Sequence, residues 1–247
     1  MKRTWYVGAI IVLAIWFLID ALGISNPLAI APPLQVFKKL FELLSTGELI
    51  RDIIATMSRT FIGFLLALIL GIPAGIVLGY YTRLYESFSL VIDFFRSVPG
   101  TALFPLFLVL FGLGDEAKIA NVVFASGLII VVNTIYGVRN GNKTRQIVAK
   151  IFKANNYATF TKVILPEAIP SIVGGLRIAL SISLIVIVVT EMFVGTENGL
   201  GRKIYQSHQL FKIADMYATI IVTGLLGYSL NIIIQQFESR FIHWSGQ

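Results

Sequence analysis

The sequence predicts an all-α membrane protein with six transmembrane helices, and three observations predict it. Of 247 residues, 56% are hydrophobic and 13% charged, against about 25% charged in ordinary soluble domains. The mean hydropathy is +0.82, and several apolar runs reach the roughly 20 residues that cross a bilayer core about 30 Å thick. These runs are continuous rather than alternating at every second residue, so they suit helices and not barrel strands.

The spans fall at 5–22, 57–80, 88–111, 118–138, 170–194 and 216–238. The first follows Lys2 and Arg3 and lacks a small-residue cleavage site, so it reads as a retained helix rather than a signal peptide. With Lys2 and Arg3 inside, alternation places 139–168 in the cytoplasm. That loop holds the densest basic stretch of the chain: Arg139, Lys143, Arg145, Lys150, Lys153 and Lys162. Arg83 and Arg240 join it inside, while Lys38, Lys39, Arg51, Lys118, Arg202, Lys203 and Lys212 lie outside. Basic residues of short loops set orientation, so both termini are expected in the cytoplasm.

Two outer segments are more than turns. Within 32–52, Leu34, Phe37, Leu40, Phe41 and Leu44 recur at helical spacing with Lys38, Lys39 and Glu42 opposite, the pattern of a short amphipathic helix at the membrane interface. Residues 195–215 open on glycine turns and are expected to hold another short helix. No internal repeat, linker or low-complexity tract divides the chain, so 1–247 reads as a single transmembrane domain.

Inside the spans, Gly71, Gly75 and Gly79 recur at four-residue intervals, a spacing that lets helices approach closely. Pro73 adds an expected kink. In RSVPGTALFPLF, Pro99 and Gly100 are expected to break the third span, and Pro105 to interrupt it again. A broken helix at membrane depth is tolerated only against protein or a water-filled cavity. The charges within spans are Arg59, Arg96, Arg177 and Glu191, which face a bundle interior or polar cavity by default. On the fifth span Arg177, Ser181 and Glu191 fall within an arc of roughly 80° at 100° per residue, with Glu191 about 21 Å from Arg177. Two readings stay open for this face: the lining of a path, or an interhelical brace.

Much chemistry is excluded. The chain has no cysteine and two histidines, so thiolate nucleophiles, disulfides and a His-based metal cluster are not expected. No GxxxxGK[ST] phosphate loop is present, so the chain is not expected to hydrolyse ATP itself. Paired carboxylates or a Ser/His pair within spans, which a membrane hydrolase needs, are missing. The net charge of +7 follows loop topology and carries no sign of nucleic-acid binding.

The stretch IVAKIFKANNYATFTKVILPEAIPSIVGGLRIAL resembles the signature loop of ABC-importer permease subunits, whose pattern is EAA, three residues, Gly, nine residues, then Ile-x-Leu-Pro. Val163, Leu165 and Pro166 match its end, and Ala149 matches the second alanine. Ile147, Val148 and Lys153 stand where the family has glutamate, alanine and glycine. Glycine permits a turn with positive φ that lysine tolerates poorly, which puts the turn geometry at Lys153 in question. TMSRTFIGFLLALILGIPAGIVLGYY, RSVPGTALFPLFLVLFGLGDEAKI and VVTEMFVGTENGLGRKIYQS are similar to the nitrate/sulfonate/taurine/bicarbonate branch, in the same order from about residue 50 onward.

The resemblance implies the type I importer permease fold and a bacterial inner-membrane location. It implies a second permease copy (a homodimer is favoured over a heterodimer), two ATP-binding subunits that use ATP and Mg, and a periplasmic or lipid-anchored substrate-binding protein received at 23–55 and 195–215. It implies a coupling loop at about 139–168, with a helix near 143–155 docking Ile147, Ile151 and Phe152 on an ATPase, and Ala149, Lys153, Ala154, Leu165 and Pro166 shaping it. Arg96, Pro99, Arg177, Ser181 and Glu191 are then candidates for path and gate, with a small oxyanion as solute and no cofactor bound by this chain. The competing classes are an ATP-independent channel or secondary transporter, a membrane enzyme, and an importer for another solute such as a vitamin precursor.

Overall fold

A computed structural model describes residues 5–23, 29–193 and 196–241. It contains α1 (Trp5–Ala21), α2 (Pro33–Ser45), α3 (Glu48–Tyr80), α4 (Thr82–Ser97), a 3₁₀ turn (Gly100–Leu103) and α5 (Phe104–Phe111). There follow α6 (Asp115–Arg139), α7 (Lys143–Ile151), α8 (Asn156–Thr159), a π turn (Phe160–Ile164), α9 (Leu165–Glu191), α10 (Leu200–Gln209) and α11 (Ile213–Phe241).

The heart of the bundle is α6, packed between α3 and α9. Lipid gives apolar helices little reason to associate, so close packing of small residues must hold them. A Cβ on Gly63 would sit 2.6 Å from Val122, on Gly71 3.0 Å from Ile130, on Gly75 2.5 Å from Thr134 and on Gly79 2.8 Å from Val138. The glycine ladder of α3 therefore lets its backbone lie directly on α6. The other side of α6 repeats the device: a Cβ on Gly137 would lie 2.8 Å from the Ala168 carbonyl oxygen, and one on Gly175 would strike Asn133. Phe64, Ala67, Ile130, Leu180, Leu184 and Leu230 fill the space where α3, α6, α9 and α11 converge. Val138, Ile164, Ala168 and Ile172 close the end nearest α7.

At the opposite end, Val36 and Leu43 of α2 pack with Leu49, Leu200, Ile213 and Val222. The apolar stripe of α2 remains largely open, with Leu34 72% and Phe41 75% exposed. The helix is anchored on Val36 and Leu43 and turns its larger apolar residues outward, as suits an element lying in the interface. Trp16 ties α1 to this end: its indole donates to the Ala31 carbonyl at 3.1 Å and stacks on Tyr217.

Among the described residues, four helices are long and apolar enough to cross a membrane, and five when α4 and the Gly100–Phe111 segment count as one bent span. The described part of α1 has 17 residues, at the lower bound for a span, so four or five of the expected six spans are met by length and composition among the described residues. Lys2 and Arg3, on which the expected orientation leans, lie outside the described residues, as do Val194 and Gly195.

Candidate translocation path and coupling surface

The third expected span is broken at Pro99 and Gly100, and its two halves meet at 88°. Proline lacks the N–H that would continue α4. Gly100 is needed for a different reason: a Cβ there would lie 2.7 Å from that of Ala125 on α6. Pro105 does not interrupt the chain a second time. It occupies the first turn of α5, where a missing donor costs nothing. No side chain of α4 is buried, and Leu90 is 78% exposed.

Beside the break lies a cavity of about 420 Å³ walled by α4, α6 and α9, with Arg96, Pro99, Gly100, Asn133 and Ile185 among its lining residues. Arg96 is the one charged residue in that lining. A second cavity of about 230 Å³ runs on toward the α7 end and shares Arg96 and Val132 with the first. The two define a candidate path with Arg96 at its junction.

Arg177, Ser181 and Glu191 do not share that cavity. Arg177 Nε donates to Asn231 Oδ1 at 2.7 Å, and its Nη1 lies 3.8 Å from Glu238 Oε2. Ser181 lines a groove between α9 and α11. This end of α9 is thus strapped to α11. Glu191 is fully buried: it accepts from Thr56 Oγ1 at 2.8 Å, Arg59 Nη1 at 2.7 Å and the Gly201 amide at 3.1 Å. The two ends of this arc meet different neighbours.

Around Glu191 the ends of three helices farthest from α7 and one loop are clasped together. Arg59 also donates to the Asn198 carbonyl at 2.7 Å, and its Nε lies 2.8 Å from Asp115 Oδ1. Lys118 reaches the same Asp115 oxygen at 3.2 Å. The Gly199 amide donates to Asp52 Oδ1 at 2.8 Å, and the Leu200 amide to Thr56 Oγ1 at 2.9 Å. Gly199 has φ 154, and a Cβ there would collide with the Glu191 carboxylate at 2.5 Å. Thr56, Asp52 and Asp115 escape sequence reasoning. The opposite intramembrane charges of Arg59 and Glu191 are the signal that points to the clasp. Outside it, Glu48, Arg51, Asp52, Arg202 and Lys203 surround a polar hollow of about 200 Å³.

At the other end, α7 is a short exposed helix fixed at both termini. The Asn142 side chain accepts from the amides of Thr144 and Arg145, a strong N-cap. Glu167 of α9 accepts from the Asn142 amide at 2.7 Å and from Arg145 Nη1 at 3.0 Å. The helix ends at Ile151, shorter than the expected 143–155. Lys153 follows with φ 55, the Lys153 amide donates to Lys150 O at 2.9 Å, and the Ala154 amide to Ala149 O at 3.0 Å. This is the paired-bond ending that normally uses glycine, here made with lysine. Ile147 is 57%, Ile151 72% and Phe152 81% exposed, while Ala149, Ala154, Leu165 and Pro166 are half-buried beneath. The π turn at Phe160–Ile164 precedes Pro166, where a wider turn relieves the proline ring's clash with the carbonyl four residues back.

The bundle, the broken span and the exposed capped helix define a membrane transport component of the ABC-importer permease class. Residues 67–243 match the binding-protein-dependent transport system inner membrane component family, and the chain belongs to it. It is 29% identical over 241 residues to the nitrate import permease protein of Leptolyngbya laminosa, covering 94% of this chain and 85% of that one. It is 26% identical over 242 residues to the taurine transport system permease protein of Escherichia coli, covering 96% and 88%. In fold it is similar to an inward-facing MetNI methionine ABC transporter chain, with a TM-score of 0.69, 21% identity, and coverage of 78% of this chain and 95% of that one.

Proposed function

We propose that this chain forms the translocation path of an ATP-driven importer for a small anionic solute of the nitrate, sulfonate, taurine or bicarbonate kind. ATP and Mg are used by two separate ATP-binding subunits, and this chain binds no cofactor. A periplasmic or lipid-anchored binding protein delivers the solute to the outer surface around Arg51, Arg202 and Lys203. The chain sits in a bacterial inner membrane with both termini cytoplasmic, paired with a second copy across the uncovered face of α4.

One observation carries the reading. Ile147, Ile151 and Phe152 project from a helix whose start is bonded to α9 through Glu167. Exposed apolar side chains on a rigidly held helix suit insertion into a groove on a partner. The bonds of Asn142 and Arg145 to Glu167 give a push on α7 a direct route to a helix that walls the Arg96 cavity.

Affinity purification in mild detergent tests this. The ATPase should come down with the wild-type protein and be lost with Ile151→Asp, together with solute uptake. Uptake into liposomes by the permease without any ATPase would instead establish a channel or secondary transporter.

A further inference from the structure

We propose that the cavity between α4 and the last turns of α6 is an oxyanion-binding site whose donors are Arg139 and Arg96. The inference rests on the reading of this chain as a path for an anion, and it places a resting point at the end of that path nearest α7.

Arg139 Nη1 is buried and has no hydrogen-bond acceptor. An arginine cannot escape this by losing its proton, and Arg139 lines the cavity, so a small shift of its side chain would bring the unmatched donor to a guest there. Its guanidinium carbon stands 4.3 Å from the centre of the Tyr85 ring, which holds the charge against that face. Arg96 lines the same cavity, and its bond to Asp93 is long at 3.4 Å. Two guanidinia against the one carboxylate in this lining leave the space positive. The cavity, about 230 Å³, has room for several waters at about 30 Å³ each, and so for a small oxyanion in their place.

Planar guanidinium forks match the paired oxygens of a sulfonate, nitrate, carboxylate or phosphate. Because Arg96 also lines the larger cavity, an anion leaving that cavity meets Arg139 next. The same chemistry would accept the phosphate of an anionic lipid headgroup, since the site lies at the end of a membrane helix. Either source fills the same donors.

The test uses the purified transporter in nanodiscs of phosphatidylcholine alone, followed by thermal unfolding. Millimolar sodium ethanesulfonate should raise the melting temperature above that in equal sodium chloride, and the rise should grow with the logarithm of concentration. Arg139→Gln should abolish the rise, measured against the variant's own melting temperature in chloride. Arg139→Lys, which keeps the charge but not the fork, should reduce the rise. Should phosphatidylglycerol nanodiscs give the stabilisation without sulfonate, again lost in Arg139→Gln, the headgroup is the occupant. Absence of stabilisation in both lipids, or a full rise in either variant, overturns the site. The Ile151→Asp purification is independent of it, so an intact ATPase complex with no anion response rejects the site alone.

Discussion

Arg59 Nη1 and Glu191 Oε1 are 2.7 Å apart, with the carboxylate fully buried and the guanidinium side chain only 10% exposed. This pair joins the first third of α3 to the end of α9, and through Asn198 it holds the loop before α10. Taking Arg59 away leaves the buried Glu191 carboxylate without its cation, and taking Glu191 away leaves the Arg59 charge with Asp115 alone.

Arg59→Met or Glu191→Met should therefore each destabilise the protein by about 3–5 kcal/mol, while the double replacement should cost much less than their sum. Thermal unfolding of the four proteins measures this. Additive losses would show that the pair is not coupled.

Two glycines on neighbouring helices should respond oppositely to alanine. A Cβ at Gly75 would lie 2.5 Å from Thr134 and 2.8 Å from the Val131 carbonyl oxygen, whereas Gly174 has nothing within 4 Å. Gly75→Ala should lower stability by about 1–3 kcal/mol as α3 and α6 are forced apart. Gly174→Ala should leave it equal or raise it by up to about 1 kcal/mol through helix propensity. Melting temperatures that move in the same direction would contradict the packing described above.

Lys153 occupies the left-handed region at φ 55, which costs a residue with a Cβ about 1–2 kcal/mol. Lys153→Gly should relieve much of this and protect the α7 amides more strongly in hydrogen exchange. Lys153→Val, β-branched, should weaken them. Faster exchange in the glycine variant would sink the idea.

Phe152 is 81% exposed and Ile151 72%, so neither contributes appreciably to the fold. Phe152→Asp should change stability by no more than about 0.5 kcal/mol yet remove the ATPase from the purified complex. A variant that melts early, or one that keeps its ATPase, would rule out these side chains as docking groups.

Residue patterns foretold some features well because the cause is local. Apolar length marks the helices, four-residue glycine spacing marks the α3–α6 contact, and Pro99 with Gly100 marks the break. Other features depend on which neighbour stands where. The angle between Arg177 and Glu191 follows from helical pitch, but nothing in the pitch says that α11 faces one and α3 the other. Pro105 reads as a second interruption until the chain is seen to restart there, turning the disruptive residue into the opening of α5. Val36 and Leu43 flank a stronger apolar stripe on α2, and only the position of Leu200 and Ile213 makes them the buried pair. Thr56 and Asp52 are ordinary polar residues by sequence; the loop amides at 199 and 200 give them their role.

Glu167 and Glu191 are fastenings at opposite ends of one rod. They stand about 36 Å apart at 1.5 Å per residue, on a helix that runs without a gap from Asn156 to Glu191. One fastening grips α7 and the other grips α3 and the start of α10. A displacement at one end has no slack segment in which to be lost. The two faces of the membrane are thereby linked by a strut with a carboxylate at each joint, and cutting either joint should uncouple them while leaving the strut itself whole.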